Sequence, residues 1–154
     1  MNASEREQRR RRPAITSSAA ETEALGARLA KQLEPGDVVV VSGEVGAGKT
    51  TLIRGACRAL GIEGPVTSPT FTIGHRYGGG RLPVSHLDLY RLEDLEGEDP
   101  ALLDDYLAPD VVAFVEWPAV AETRLAARRT LAVSLRHAGG DSRAIEMIAA
   151  SSCK

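Results

Sequence analysis

The sequence predicts an α/β fold, a single domain with a mixed sheet (a parallel core plus antiparallel strands) flanked by helices. Three observations carry that prediction. Val38-Val39-Val40-Val41 is a short β-branched run of the kind buried on both faces of a parallel sheet, and Val111-Val112-Ala113-Phe114-Val115 is a second. The first run passes through a glycine-rich loop directly into a helical stretch, the order of a strand-loop-helix unit. Leu131–Leu135 and Ala144–Ile148, on either side of Gly139-Gly140, read as two closing strands.

The remaining elements follow from local signals. Residues 1–13 read as a disordered basic arm ending at Pro13, residues 14–150 as the folded domain and 151–154 as a tail. Ser18-Ala19-Ala20-Glu21 matches a capping box, and Leu25, Leu29 and Leu33 continue it at helical spacing, which predicts a helix from about Ala19 to Leu33. Pro35-Gly36 is a turn before the first strand. The helix after the glycine-rich loop runs from Thr50 to Leu60 and stops at Gly61. Phe71-Thr72-Ile73 and Leu82-Pro83-Val84 are extended segments joined through Gly78-Gly79-Gly80, and His86-Leu87-Asp88-Leu89-Tyr90 ends the second. An acidic stretch from Glu93 to Asp99 leads to a short helix around Leu102–Leu107, and residues 119–129 read as helical.

Composition narrows the function classes. With 43% hydrophobic and 26% charged residues the chain is of the soluble globular kind, and no apolar run approaches the roughly 18 residues of a membrane span. Arg9–Arg12 are not followed by an apolar segment, so no signal peptide is expected. Two cysteines, Cys57 and Cys153, make no disulfide framework, which points to a reducing compartment, the cytoplasm. The net charge of −2 hides an asymmetry: residues 1–13 hold five arginines against Glu5 and Glu7, and the rest is acidic. An acidic domain is a poor candidate for wrapping nucleic acid by itself.

The loop Gly43-Glu44-Val45-Gly46-Ala47-Gly48-Lys49-Thr50 fits the phosphate-binding pattern GxxxxGK[ST] in full, between a buried strand and a helix. Glycines let the backbone turn tightly, so that successive N–H groups converge on a phosphate, and the helix N-terminus adds its unpaired N–H groups. Lys49 is expected on the β- and γ-phosphates and the Thr50 hydroxyl on magnesium, with Thr51 beside them. The chain uses sixteen arginines and three lysines, so a lysine here answers a need for a compact ammonium. The sequence therefore predicts a P-loop NTPase-like domain.

Such a loop needs a carboxylate at the end of a neighbouring buried strand. Glu116 follows five apolar residues and is the first candidate, as a magnesium ligand. Asp88 is the second; it can orient the attacking water, share the metal shell, or cap the following turn. Thr67-Ser68-Pro69-Thr70 lies where a switch segment sensing the γ-phosphate would lie, and Trp117 directly follows the strand-end acid. His75, His86 and His137 lack metal-ligand spacing, so no zinc site is expected. The Asn/Thr-Lys-x-Asp element that reads guanine is missing: the only asparagine is Asn2, and neither Lys31 nor Lys154 precedes the required acid. ATP is therefore favoured, and hydrolysis is the expected reaction. Arg124, Arg128 and Arg129 leave open a small-molecule kinase with an arginine-rich lid, and a nucleotide-dependent binding module without essential hydrolysis remains a further alternative.

Taken together and in order, Gly43–Thr51, Arg54-Gly55, Leu60-Gly61, Ser68-Pro69-Thr70-Phe71, His86-Leu87-Asp88-Leu89-Tyr90-Arg91-Leu92 and Glu116-Trp117-Pro118 resemble the bacterial TsaE (YjeE) family of ATPases, over about Ile15 to Ile148. The resemblance implies a cytoplasmic ATPase, weak on its own, in threonylcarbamoyladenosine formation at adenosine 37 of tRNA. It implies two partners, the threonylcarbamoyl-transferase subunit (TsaD-like) and its dimerisation partner (TsaB-like), with tRNA reached through their complex. By position it puts magnesium on Thr50 and Glu116, Asp88 near the γ-phosphate, and Arg143 near the nucleotide. The chain departs from the family at Ala101–Leu107, where a glycine often precedes the short helix, and in its arginine arm.

Overall fold

The computed structural model describes residues 2–5, 13–44, 46–67, 74–88, 105–116 and 131–149. Arg9–Arg12, Val45, Ser68–Ile73, Glu93–Asp99, residues 101–104, Trp117-Pro118, residues 119–129 with Arg124, Arg128 and Arg129, and the tail 151–154 lie outside them.

A seven-stranded mixed sheet organises the chain. In chain order the elements are β1 (Ala14–Thr16), α1 (Ala19–Ala30), β2 (Val38–Gly43), α2 (Lys49–Ala59), β3 (Gly74–Tyr77), β4 (Val84–Asp88), β5 (Val112–Glu116), β6 (Leu131–His137) and β7 (Arg143–Ala149). Across the sheet they stand β1-β7-β6-β2-β5-β4-β3. The four middle strands, β6, β2, β5 and β4, are parallel, and β1, β7 and β3 are antiparallel to their neighbours. The expected parallel core with antiparallel additions is therefore present. β6 belongs to the core: it closes antiparallel only towards β7, and runs parallel to β2.

The elements form for local reasons. Ser18 caps α1 by accepting from the Glu21 N–H at 3.2 Å, while the Glu21 carboxylate accepts from the Ser17 N–H at 2.8 Å, a capping box shifted by one residue. The helix ends at Ala30 rather than near Leu33. Gln32 and Leu33 donate to carbonyls three residues back, a tightened last turn ahead of Pro35, which still leaves Leu33 in the core. α2 stops as the sequence predicts: Gly61, at φ 87°, donates to Arg58 O, and Ile62 reaches back to Cys57 O. β3 begins at Gly74, just after the segment expected to be extended, and β1 escaped the sequence reading.

One sheet face and two helices make the core. Val39, Val41, Phe114, Val133 and Leu135 from the strands meet Leu25 and Leu29 of α1 and Leu52, Ile53 and Cys57 of α2. The helices touch backbone to backbone. A Cβ on Gly26 would stand 2.1 Å from the Leu52 carbonyl oxygen, and one on Gly55 would stand 2.0 Å from that of Glu23. Only two glycines facing each other's chain allow this approach. No helix among the described residues is long and apolar enough to cross a membrane.

Candidate functional site

Parallel strands end on the same side of a sheet, and in open α/β sheets that edge is where ligands bind. β2 ends at Gly43, β5 at Glu116, β4 at Asp88 and β6 at His137, and β7 starts back from the same edge with Arg143. Every described residue singled out from the sequence for chemistry lies along this edge.

At its centre the chain turns from β2 into α2. Gly48 takes the N-cap position at φ 97°, in the left-handed region, and no side chain caps the helix there. The first-turn N–H groups of a helix have no intrahelical partner, so this end is built to receive an anion. The Lys49 ammonium folds back over the loop and donates to the carbonyls of Gly43, at 2.7 Å, and Glu44, at 3.1 Å. Thr50 and Thr51 follow in the first turn of α2.

To one side stand the acids. Asp88 and Glu116 are register partners on β4 and β5, and Glu116 is in turn opposite Val41 on β2. Both carboxylates are buried, with Glu116 3% and Asp88 9% exposed. His86, wholly buried two residues before Asp88, brings its Nε2 to 3.1 Å from Glu116 Oε2. Its Nδ1 lies 3.4 Å from the Tyr77 hydroxyl, which donates to the Thr67 carbonyl at 3.3 Å and lies 3.2 Å from His75 Nδ1. Burial pushes the Tyr77 phenol above its ordinary value of 10.0, so this hydroxyl keeps its proton.

To the other side lies an open cavity of about 130 Å³, lined by Ala19, Thr22, Gly46, Gly48, Thr51, Asp141 and Arg143. Arg143 ties the turn before β7 to the glycine-rich loop. One guanidinium nitrogen donates to Gly46 O at 3.1 Å, and another to Gly140 O and Ser142 O at 3.0 and 2.9 Å. Thr22 is fixed by a 2.8 Å contact with the Thr16 hydroxyl on β1.

The structure thus assembles Gly43, Glu44, Gly46, Ala47, Gly48, Lys49, Thr50, Thr51, Asp88, Glu116 and Arg143 on one edge; Val45 lies outside the described residues. Sequence reasoning missed His86, Tyr77 and the cavity wall of Ala19, Thr22 and Asp141. For His86 a signal existed: two residues before Asp88 in a strand, it shares that residue's face. Among the described residues no group of three or more His, Cys, Asp or Glu side chains could hold a metal ion with protein ligands alone.

The family model described as "Threonylcarbamoyl adenosine biosynthesis protein TsaE" matches residues 16–145. The chain is 43% identical over 129 residues to the tRNA threonylcarbamoyladenosine biosynthesis protein TsaE of Bacillus subtilis, covering 84% of this chain and 80% of that one. It is 50% identical over 95 residues to the protein of the same name from Streptomyces coelicolor, covering 60% and 64% of the two. Among solved structures it is similar to YdiB of Bacillus subtilis, with a TM-score of 0.75 and 35% identity over 90% of this chain and 85% of that one.

Proposed function

The chain belongs to the TsaE family, a nucleotide-binding family of the P-loop type, and from that premise we propose that it is the ATP-hydrolysing accessory subunit of tRNA threonylcarbamoylation at adenosine 37. The observation that supports hydrolysis, beyond binding, is the pair of buried carboxylates, Asp88 and Glu116, held side by side next to the strand that feeds the P-loop.

The residues divide the work by their chemistry. The α2 N-terminus and the loop glycines receive the phosphates. Lys49 exchanges its two loop carbonyls for β- and γ-phosphate oxygens, a stronger charge-assisted contact. The donor set of Thr50 and Glu116 is all oxygen, which fits the hard magnesium ion, with the nucleotide completing a shell that the protein does not fill alone. Magnesium, when bound, neutralises charge across the phosphates during transfer. Asp88 accepts a hydrogen bond from the attacking water and so orients it. Arg143 holds the loop from the far side and lines the cavity offered to the nucleoside.

The partners proposed are the threonylcarbamoyl-transferase subunit and its dimerisation partner, in the cytoplasm, with tRNA reached through them. The test replaces the chromosomal gene with a Lys49→Ala allele and measures threonylcarbamoyladenosine in bulk tRNA. The variant is expected to bind ATP about 1.5–3 kcal/mol more weakly and to lower the modification. An unchanged level, in a host with no second copy, overturns the assignment.

A further inference from the structure

A wholly buried imidazole needs a reason, because a polar ring away from water is costly unless its nitrogens are bonded. Packing does not supply that reason at residue 86. On the same face stand Val84 and Asp88 along β4, Phe114 opposite on β5 and His75 opposite on β3, so an apolar side chain would pack at least as well against Val84 and Phe114. What distinguishes His86 is what lies on its two nitrogens: the Glu116 carboxylate on Nε2 and the Tyr77 hydroxyl on Nδ1.

We infer that His86 is a positioning residue for Glu116, donating from Nε2 to Oε2, and that the Tyr77 hydroxyl at Nδ1 steadies the ring that makes that donation. A carboxylate only accepts, so the shared proton sits on Nε2. At the other ring nitrogen, Nδ1, the Tyr77 hydroxyl lies 3.4 Å away and limits rotation of the imidazole. His75 Nδ1 lies 3.2 Å from the same hydroxyl. The Tyr77 proton goes to the Thr67 carbonyl at 3.3 Å, so the relay ends at the residue preceding Ser68-Pro69-Thr70. The effect is to hold one carboxylate oxygen against the imidazole and so limit the directions in which the other can point. This inference rests on the proposed metal-binding role of Glu116.

Four variants of the full chain test it: Glu116→Gln, His86→Phe, His86→Gln and Tyr77→Phe. Three readouts are taken. The first is kcat and KM for ATP with magnesium chloride, and the second is the magnesium concentration that half-saturates ADP binding, followed by Trp117 fluorescence. The third is the histidine ring ¹⁵N spectrum of the nucleotide-free protein. His86→Phe is expected to lower kcat and raise the half-saturating magnesium concentration, each by about 10–100-fold, the usual cost of losing a partner of a metal ligand. ADP affinity without magnesium stays unchanged. His86→Gln, whose amide nitrogen can stand where Nε2 does, recovers most of the loss. Tyr77→Phe loses less, about two- to tenfold.

Equal impairment of His86→Phe and His86→Gln with unchanged magnesium dependence overturns the inference, as does a His86 without a proton on Nε2 in the unmodified chain. Full hydrolysis by Glu116→Gln instead removes the premise about Glu116, while the ring spectrum still decides the relay. If His86→Phe does not fold, His86→Gln, Tyr77→Phe and the spectrum carry the test.

Discussion

The two sides of β2 are built to opposite specifications. Towards β5 and β4 the sheet edge is dry: His86, Asp88 and Glu116 are buried among bonded neighbours. Towards β6 and β7 it is wet: His137 and Asp141 are exposed, Arg143 is half-buried, and the partners of its guanidinium are backbone carbonyls of loops. In the dry half a hydrogen bond is electrostatically stronger and fixes direction; in the wet half solvent competes for each contact. On the proposed function, directional chemistry would fall to the β5 side and reversible hold on the nucleoside to the β7 side.

That contrast can be broken by experiment. Its largest expected consequence is at Glu116: Glu116→Gln should slow phosphate release by about 10²–10⁴-fold while equilibrium ATP binding is kept. Equal losses in both would mean that the dry half binds as much as it acts. Arg143→Ala should do the reverse, weakening nucleotide affinity about three- to tenfold in titration calorimetry with saturated turnover unchanged. A fall in turnover there would extend the chemistry across β2.

The smallest effect sharpens the comparison by following dryness down into α2. Burial pushes the Cys57 thiol from its ordinary 9.0 up to about 12, with the nearby Arg58 pulling the other way. The unfolded chain therefore ionises this thiol first. The stability it contributes is complete below pH 9.0 and is lost as pH rises from there towards about 12. Urea melts between pH 8 and 11 should show that slope and lose it in Cys57→Ser, and alkylation at pH 8 should reach Cys57 only after unfolding.

Legibility in the sequence follows the same divide between contiguous and assembled structure. The P-loop was readable because Val38–Val41, the glycines and the helix are adjacent in the chain, and each carries a local conformational demand. Glu116 and Asp88 were readable because buried strands end in them. For His86 only the shared face with Asp88 was readable; its contacts depend on the β4–β5 register and on Tyr77 from β3, while a search for metal-ligand spacing asks a different question of a histidine. The cavity wall was beyond reach for a similar reason. Asp141 becomes a neighbour of the loop through the strand order β7-β6-β2, and Ala19 and Thr22 through the packing of α1 on α2, neither of which a local pattern encodes. β1 has three residues, too few for an alternating pattern to show, and Leu33 kept helical spacing past the true end of α1 because the tightened turn still points it inward.

The paired glycines of the two helices have a mechanical consequence. With Gly26 against the Leu52 carbonyl and Gly55 against that of Glu23, sliding α1 along α2 drives backbone into backbone, so the two travel as one body. Ala19 and Thr22, on α1, are thereby held against the phosphate loop by backbone packing. The opposite wall, the hairpin turn of residues 138–142, is held by 2.9 Å bonds between Ala138 and Ser142 and between Ser142 and Gly139, and by Arg143 to Gly46 O. One pocket thus has two kinds of wall, steric on the α1 side and hydrogen-bonded on the β7 side.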